Sequence, residues 1–215
     1  MNKLLLPFPV MLLVACSGIP TQMPPGEGDG LVTVSPQQPP AGTQTFARPT
    51  LKHGDRLVFE EGGAKKFTMR ITRADETGYE FLQEGVGEVA VYDANLGVME
   101  IRRPDEPHLH QMRAPADSTF TWPLWVGKRW TCIYVEKSPI MGAREIVVEY
   151  RADAMETIKV AAGEFRCIRI WRRSLPTRGR FARNTAVYWY APKVGFWVRK
   201  VVNGLETELI DFERQ

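Results

Sequence analysis

Ala186-Val-Tyr-Trp-Tyr190, Pro192-Lys-Val-Gly195, Phe196-Trp-Val-Arg-Lys-Val-Val202, Asn203-Gly204 and Leu205-Glu-Thr-Glu-Leu-Ile-Asp-Phe212 follow one another and decide the fold. Three runs rich in β-branched and aromatic residues are divided by two turn signals, the pattern of an antiparallel meander. Asn203-Gly204 suits a type I′ turn, whose two central residues need positive φ. Upstream, Ile158-Lys-Val160, the turn Ala161-Ala-Gly-Glu164 and Phe165-Arg-Cys-Ile-Arg-Ile-Trp171 carry the meander back to Glu156. Ala186 to Tyr190 is apolar at successive positions, so that strand should be covered on both faces.

The first half reads the same way. Gly54-Asp-Arg-Leu-Val-Phe-Glu60 turns at Gly62-Gly63 into Lys66-Phe-Thr-Met-Arg-Ile-Thr-Arg73, where Phe67, Met69 and Ile71 alternate with polar neighbours, as on a strand with one wet face. Tyr79–Leu82, Glu88–Tyr92 and Val98–Arg103 continue it. The fold predicted for residues 51–215 is all-β: antiparallel meanders forming two curved sheets or an incomplete barrel. The first sheet should span 54–103, a proline-broken connector 104–119 and the second sheet 120–213. Helix should be scarce, since Ala152-Asp-Ala-Met155 is too short to matter.

A weak internal repeat accompanies this pattern. Gly54-Asp-Arg-Leu-Val-Phe59 matches Gly127-Lys-Arg-Trp-Thr-Cys132, Arg73-Ala-Asp75 matches Arg151-Ala-Asp153, and Tyr92 precedes Gly97 by the step at which Tyr190 precedes Gly195. Generic hairpin chemistry competes with true repetition as the explanation.

The N-terminus is of another kind. Lys3 and the apolar run Leu4–Val14 form a short segment read as a signal peptide over 1–15, and Leu13-Val-Ala-Cys16 resembles the lipobox at which bacterial lipoproteins are cleaved and acylated. Cys16 would then carry the lipid anchor, each buried CH₂ contributing ~0.8 kcal/mol to membrane binding. Ser17, in place of Asp, resembles lipoproteins passed to the outer membrane, with the domain in the periplasm. Residues 16–50, rich in Pro, Gly, Gln and Thr, read as a disordered tether of about 30 Å root-mean-square span. Leu31-Val-Thr-Val34 is its one short apolar patch.

Three blocks of the second half carry a family resemblance. Trp122-Pro-Leu through Val126-Gly-Lys-Arg-Trp130, Val160-Ala-Ala-Gly-Glu-Phe165-Arg-Cys-Ile168 and Trp189-Tyr-Ala-Pro-Lys-Val-Gly195 resemble exported bacterial β-domains of unknown function, the TapB-like kind. These are turn and core motifs. The resemblance implies an exported all-β domain and brings no catalytic residues.

Chemistry is sparse. No nucleophile elbow, phosphate loop or zinc-protease motif occurs, so no catalytic residue, metal or cofactor is assigned and an enzyme is not expected. His108-Leu-His110, near Asp105 and Glu106, lies in a loose proline-rich segment better read as solvated than as a metal site. His53 is the only other histidine. In an oxidising compartment Cys132 and Cys167 are a disulfide candidate, with two buried thiols as the alternative. Arg172, Arg173, Arg178, Arg180 and Arg183 crowd a basic stretch read as a loop. They could meet anionic envelope components such as lipid headgroups, lipopolysaccharide or peptidoglycan. Trp122, Trp125, Trp130, Trp171, Trp189 and Trp197 either fill the core or line a cavity.

With 215 residues, 44% of them hydrophobic, and a net charge of only +3, the composition is that of a packed domain without a nucleic-acid footprint. The expected role is a noncatalytic binding or structural one in the cell envelope, at the membrane through the lipid anchor. The alternative is a periplasmic carrier holding an apolar ligand in a curved-sheet cavity.

Overall fold

The protein is described by a computed structural model covering residues 38–175 and 184–215. Twelve antiparallel strands follow one another: β1 (Arg56–Glu61), β2 (Lys65–Asp75), β3 (Gly78–Gln83), β4 (Glu88–Asp93), β5 (Val98–Arg102), β6 (Gln111–Asp117), β7 (Arg129–Ser138), β8 (Gly142–Val160), β9 (Gly163–Leu175), β10 (Thr185–Ala191), β11 (Phe196–Val202) and β12 (Leu205–Glu213). Each pairs with its sequence neighbours, and β12 returns to β1, so the sheet closes into one barrel and not into two sheets. Closure satisfies the edges that an open meander would leave unpaired. A 3-10 turn, Pro107–Leu109, precedes β6.

The two meanders fall where the alternation places them, and at Asn203 (φ 50°) and Gly204 (φ 85°) both turn residues have the positive φ of a type I′ hairpin. Two segments differ from expectation. The connector 104–119 contains β6, which pairs with both β5 and β7. The tether ends earlier than Thr50, because Phe46 exchanges backbone hydrogen bonds of 2.9 Å with Leu124 and packs against the core. Ala152–Met155 lies inside β8. Leu31–Val34 and Cys16 lie outside the described residues.

The internal repeat is structural, with a step of six strands. Gly54 N–H donates to Ile71 O and Ile71 N–H donates to Asp55 O, while Gly127 N–H donates to Ala152 O and Ala152 N–H donates to Lys128 O. The register slips between Ile71 and Arg73 in β2 and between Ala152 and Ala154 in β8, then before Tyr92 in β4 and before Tyr190 in β10. Bulges are features of register, and this coincidence relates β1–β6 to β7–β12. In that correspondence Arg73 takes the position of Ala154, so the Arg-Ala-Asp triplets are not equivalent.

A twelve-stranded barrel is wider than the eight-stranded kind that side chains just fill. Large rings occupy much of the extra space: Phe59 lies 4.2 Å from Trp197, Phe81 5.2 Å from Phe196, and Trp130 stacks on Tyr150 at 5.2 Å between ring centroids. One end is plugged by the β6–β7 connection, whose Phe120, Leu124 and Trp125 are buried. Lys128 pins that plug: its ammonium donates to Thr121 O at 2.7 Å and Pro123 O at 2.8 Å, with Trp125 beneath it at 4.4 Å.

Candidate functional site

Beyond the plug, the barrel interior divides into a polar half and an open half. The polar half is built by residues that alternate inward on β6 to β9. Asp117 accepts from Tyr150 Oη at 2.5 Å and from Arg172 Nη2 at 3.2 Å, and Arg113 approaches the same carboxylate at 3.5 Å. Arg172 also donates to Tyr150 Oη and Tyr134 Oη, each at 3.2 Å. Arg113 and Arg144 hold Glu136 from two sides. Burial opposes the Arg172 charge, yet Tyr150, Asp117, Tyr188 and Tyr134 outweigh it, and its pKa is raised. Burial raises the Tyr150 phenol, with Asp117 adding to the effect. Every charge here has a partner, as a buried network requires.

The open half is a cavity of about 410 Å³. On one wall Lys65, Phe67 and Met69 of β2 and Glu88, Ala90 and Tyr92 of β4 alternate inward; opposite stand Tyr188 of β10 and Phe196, Lys200 and Val202 of β11. Leu96, Thr119 and Phe120 form the floor at the plugged end, while Glu61, Lys65, Gln83, Glu88 and Arg103 lie at the opposite end, beside the hairpin turns. The rim carboxylates have cations of their own: Glu61 is 4.0 Å from Lys65, and Glu88 accepts from Arg103 at 3.0 Å.

Lys200 differs. Among the described residues its ammonium has no ion pair or hydrogen bond, and it rests 4.6 Å over the Trp197 ring. Burial lowers its pKa against the opposing pull of Glu61 and Glu88. Tyr188 is its cross-strand partner, so phenol and ammonium stand side by side on the wall. Burial likewise raises the pKa of Tyr188 and of Tyr92.

The residues singled out from sequence are dispersed. Arg172 and Arg173 belong to strand β9 and not to a loop; Arg172 points into the barrel, and Arg173 donates to fully buried Glu149 at 3.0 Å. Neither offers a free guanidinium for an external anion. Arg178, Arg180 and Arg183 lie outside the described residues. Cys132 and Cys167 are free, buried thiols. Their partners on the intervening β8 are Val148 and Glu156, roughly 26 Å apart at ~3.3 Å per residue, far beyond the ~7 Å Cα limit for a bridge. His110 meets Glu100 at 2.9 Å and His108 lies 3.9 Å from Glu106, so the two imidazoles face different carboxylates.

Of the six tryptophans only Trp197 borders the cavity. Trp171 and Trp189 face outward, beneath a layer in which Asp153 and Glu156 accept their indole N–H groups and Arg169 and Arg199 lie over the rings. Lys200 escaped the sequence reading because it sits in the strand Phe196–Val202 as one cation among apolar residues, beside Arg199. Only the inward parity of Phe196, Lys200 and Val202 could have singled it out.

In fold the chain is similar to the hypothetical lipoprotein YmcC from Escherichia coli, with a TM-score of 0.51 over 77% of this chain and 89% of that one, at 11% identity. A protein described as exported, with a YmcC-like fold, from Bacteroides fragilis aligns at a TM-score of 0.44 and 17% identity over 80% of this chain and 100% of its own. One described as a lipoprotein, from Parabacteroides distasonis, aligns at 0.44 and 12% over 79% and 99%. At these identities the first likeness shows the fold alone, and the other two are too loose to argue from. No protein-family model and no curated protein matches the chain, and the TapB-like resemblance is not among these findings.

Proposed function

We propose that this chain is a noncatalytic binding protein of the bacterial envelope, anchored by a lipid on Cys16 to the outer membrane and holding a small ligand in its barrel. The cavity carries this reading. Its 410 Å³ falls in the range of small-molecule sites, and its lining is divided between apolar side chains toward the plug and polar ones gathered mostly at the rim. The lipobox-like Leu13-Val-Ala-Cys16 supports the anchor, as does the description of the E. coli neighbour as a lipoprotein. The carrier reading gains over a surface contact through the basic stretch because Arg172 and Arg173 are consumed by internal pairs.

Among the described residues every pairing between the twelve strands lies within 56–213 and the Phe46–Leu124 bridge lies within 46–124, so residues 38–215 hold the described barrel with its plug. That fragment should bind the neutral apolar probe N-phenyl-1-naphthylamine saturably. Ala90→Phe, which places a ring in the cavity and takes up a large part of it, should weaken the fluorescence signal strongly while the melting temperature stays within a few degrees. A linear, unsaturable signal from the wild type would end the binding reading. For the anchor, labelled palmitate should appear on the full chain and not on Cys16→Ala; label on both, or on neither, refutes lipidation at Cys16.

A further inference from the structure

We infer that the cavity takes an anionic amphiphile, its acid group held by Lys200 and Tyr188 and its apolar body directed toward Phe196, Leu96 and Phe120; this rests on the cavity being a binding site. Three observations converge. The first is the ammonium: Glu61 and Glu88 are matched to Lys65 and Arg103 and act on Lys200 only from beyond ion-pair distance, while its closest charge-directed contact is the Trp197 face. Lys200 is half-buried on the cavity wall, and an ammonium partly withdrawn from water without an ion pair costs free energy that an incoming anion recovers. Carboxylate or phosphate fits that requirement, and a neutral molecule does not.

The second observation is the neighbour. Lys200 and Tyr188 are direct cross-strand partners, both lining the cavity, so one anionic group reaches an N–H and an O–H donor together. Tyr188 holds its proton, burial raising its pKa, and is therefore a donor at neutral pH.

The third is polarity along the barrel axis. On β11, Val202 marks the turn end and Phe196 the plugged end, with Lys200 nearer the turn end. Below it the space is bordered by Phe67, Met69, Phe196 and Trp197 and floored by Leu96 and Phe120. The ligand should therefore lie with its acid toward the rim and its tail toward the plug. At ~30 Å³ per water-sized group the space holds about fourteen such groups, the size of dodecanoate.

The test compares dodecanoate with dodecanol as competitors of N-phenyl-1-naphthylamine on residues 38–215, below their aggregation concentrations. The acid should bind about tenfold tighter or better than the alcohol at pH 7, since charge-assisted hydrogen bonds are the strong ones. Lys200→Met should erase that preference while still binding the alcohol, which also shows that the variant is folded. Lys200→Arg should retain it. Equal affinity for acid and alcohol in the wild type overturns the anionic class and leaves the cavity reading intact. A wild type that binds the probe and the alcohol while Lys200→Met keeps the acid preference overturns the role of Lys200. If neither competitor nor the probe binds, both readings fall.

Discussion

Arg172 and Asp117 meet at 3.2 Å inside the barrel although 55 residues separate them in sequence, and this pair ties β9 to β6 across the two strands between them. Both are nearly excluded from water, with side chains 11% and 4% exposed. Removing one partner of such a pair leaves a buried charge uncompensated, at a cost of ~3–5 kcal/mol. Arg172→Met should lose about that much by urea denaturation, while Arg172→Met with Asp117→Leu should lose less than the sum of the single changes. Additive losses would mean that the two groups are not coupled.

Two glycines with positive φ should respond differently. A Cβ on Gly78 (φ 148°) would sit 2.0 Å from the Tyr92 carbonyl oxygen, where the β2–β3 turn passes β4, whereas at Gly204 (φ 85°) it would meet nothing within 4 Å. Gly204→Ala carries only conformational strain, about 1 kcal/mol. Gly78→Ala must also move backbone and should cost ~3 kcal/mol or more. Equal shifts in the unfolding midpoint would contradict the close approach at Gly78.

The hairpins were legible because period-two patterning and turn chemistry are local. Phe67, Met69 and Ile71 alternate as strands with a wet face do, and Asn203-Gly204 names its own turn. β6 was not legible because its polarity is inverted: Arg113 and Asp117 face inward while Met112 is half exposed to solvent. Arg172 misled for the same reason, an inward charge on a strand that carries Trp171 on its outer face. Such inversions follow from a barrel wide enough to hold a hydrogen-bonded network, and width depends on closure between β1 and β12, which no local pattern encodes. Lys200 became a candidate only once both walls of the cavity were in place.

The two thiols should behave as independent buried groups. A reducing agent should leave the melting temperature of residues 38–215 unchanged, and a thiol reagent should find Cys132 and Cys167 both reactive only after denaturation. Burial raises both thiol pKa values, that of Cys167 to about 12, which further slows reaction in the native state. A drop in melting temperature on reduction, or fewer than two thiols in the unfolded chain, would require a bridge.

Stability at alkaline pH should turn over. Cys132, Cys167, Tyr92, Tyr134, Tyr150, Tyr188 and Tyr190 all have raised folded-state pKa values, chiefly through burial. Their contribution is complete below the unfolded values, 9.0 for the thiols and 10.0 for the phenols, and is lost as pH climbs above them. Each group can contribute a slope of up to about 1.4 kcal/mol per pH unit. Lys128 acts in the opposite sense. Burial lowers it from 10.5 to about 8, so the unfolded chain holds this proton longer and stability rises with pH between those values. Lys200, also lowered, adds to that rise. Urea midpoints should therefore be level or rising from pH 8 to 9 and fall steeply above pH 10, where the phenols outnumber the two lysines. Lys128→Met lacks the rising component, so its deficit against the wild type should grow from pH 8 to 10.5. A deficit constant over that range would show that Lys128 keeps an ordinary pKa at the plug.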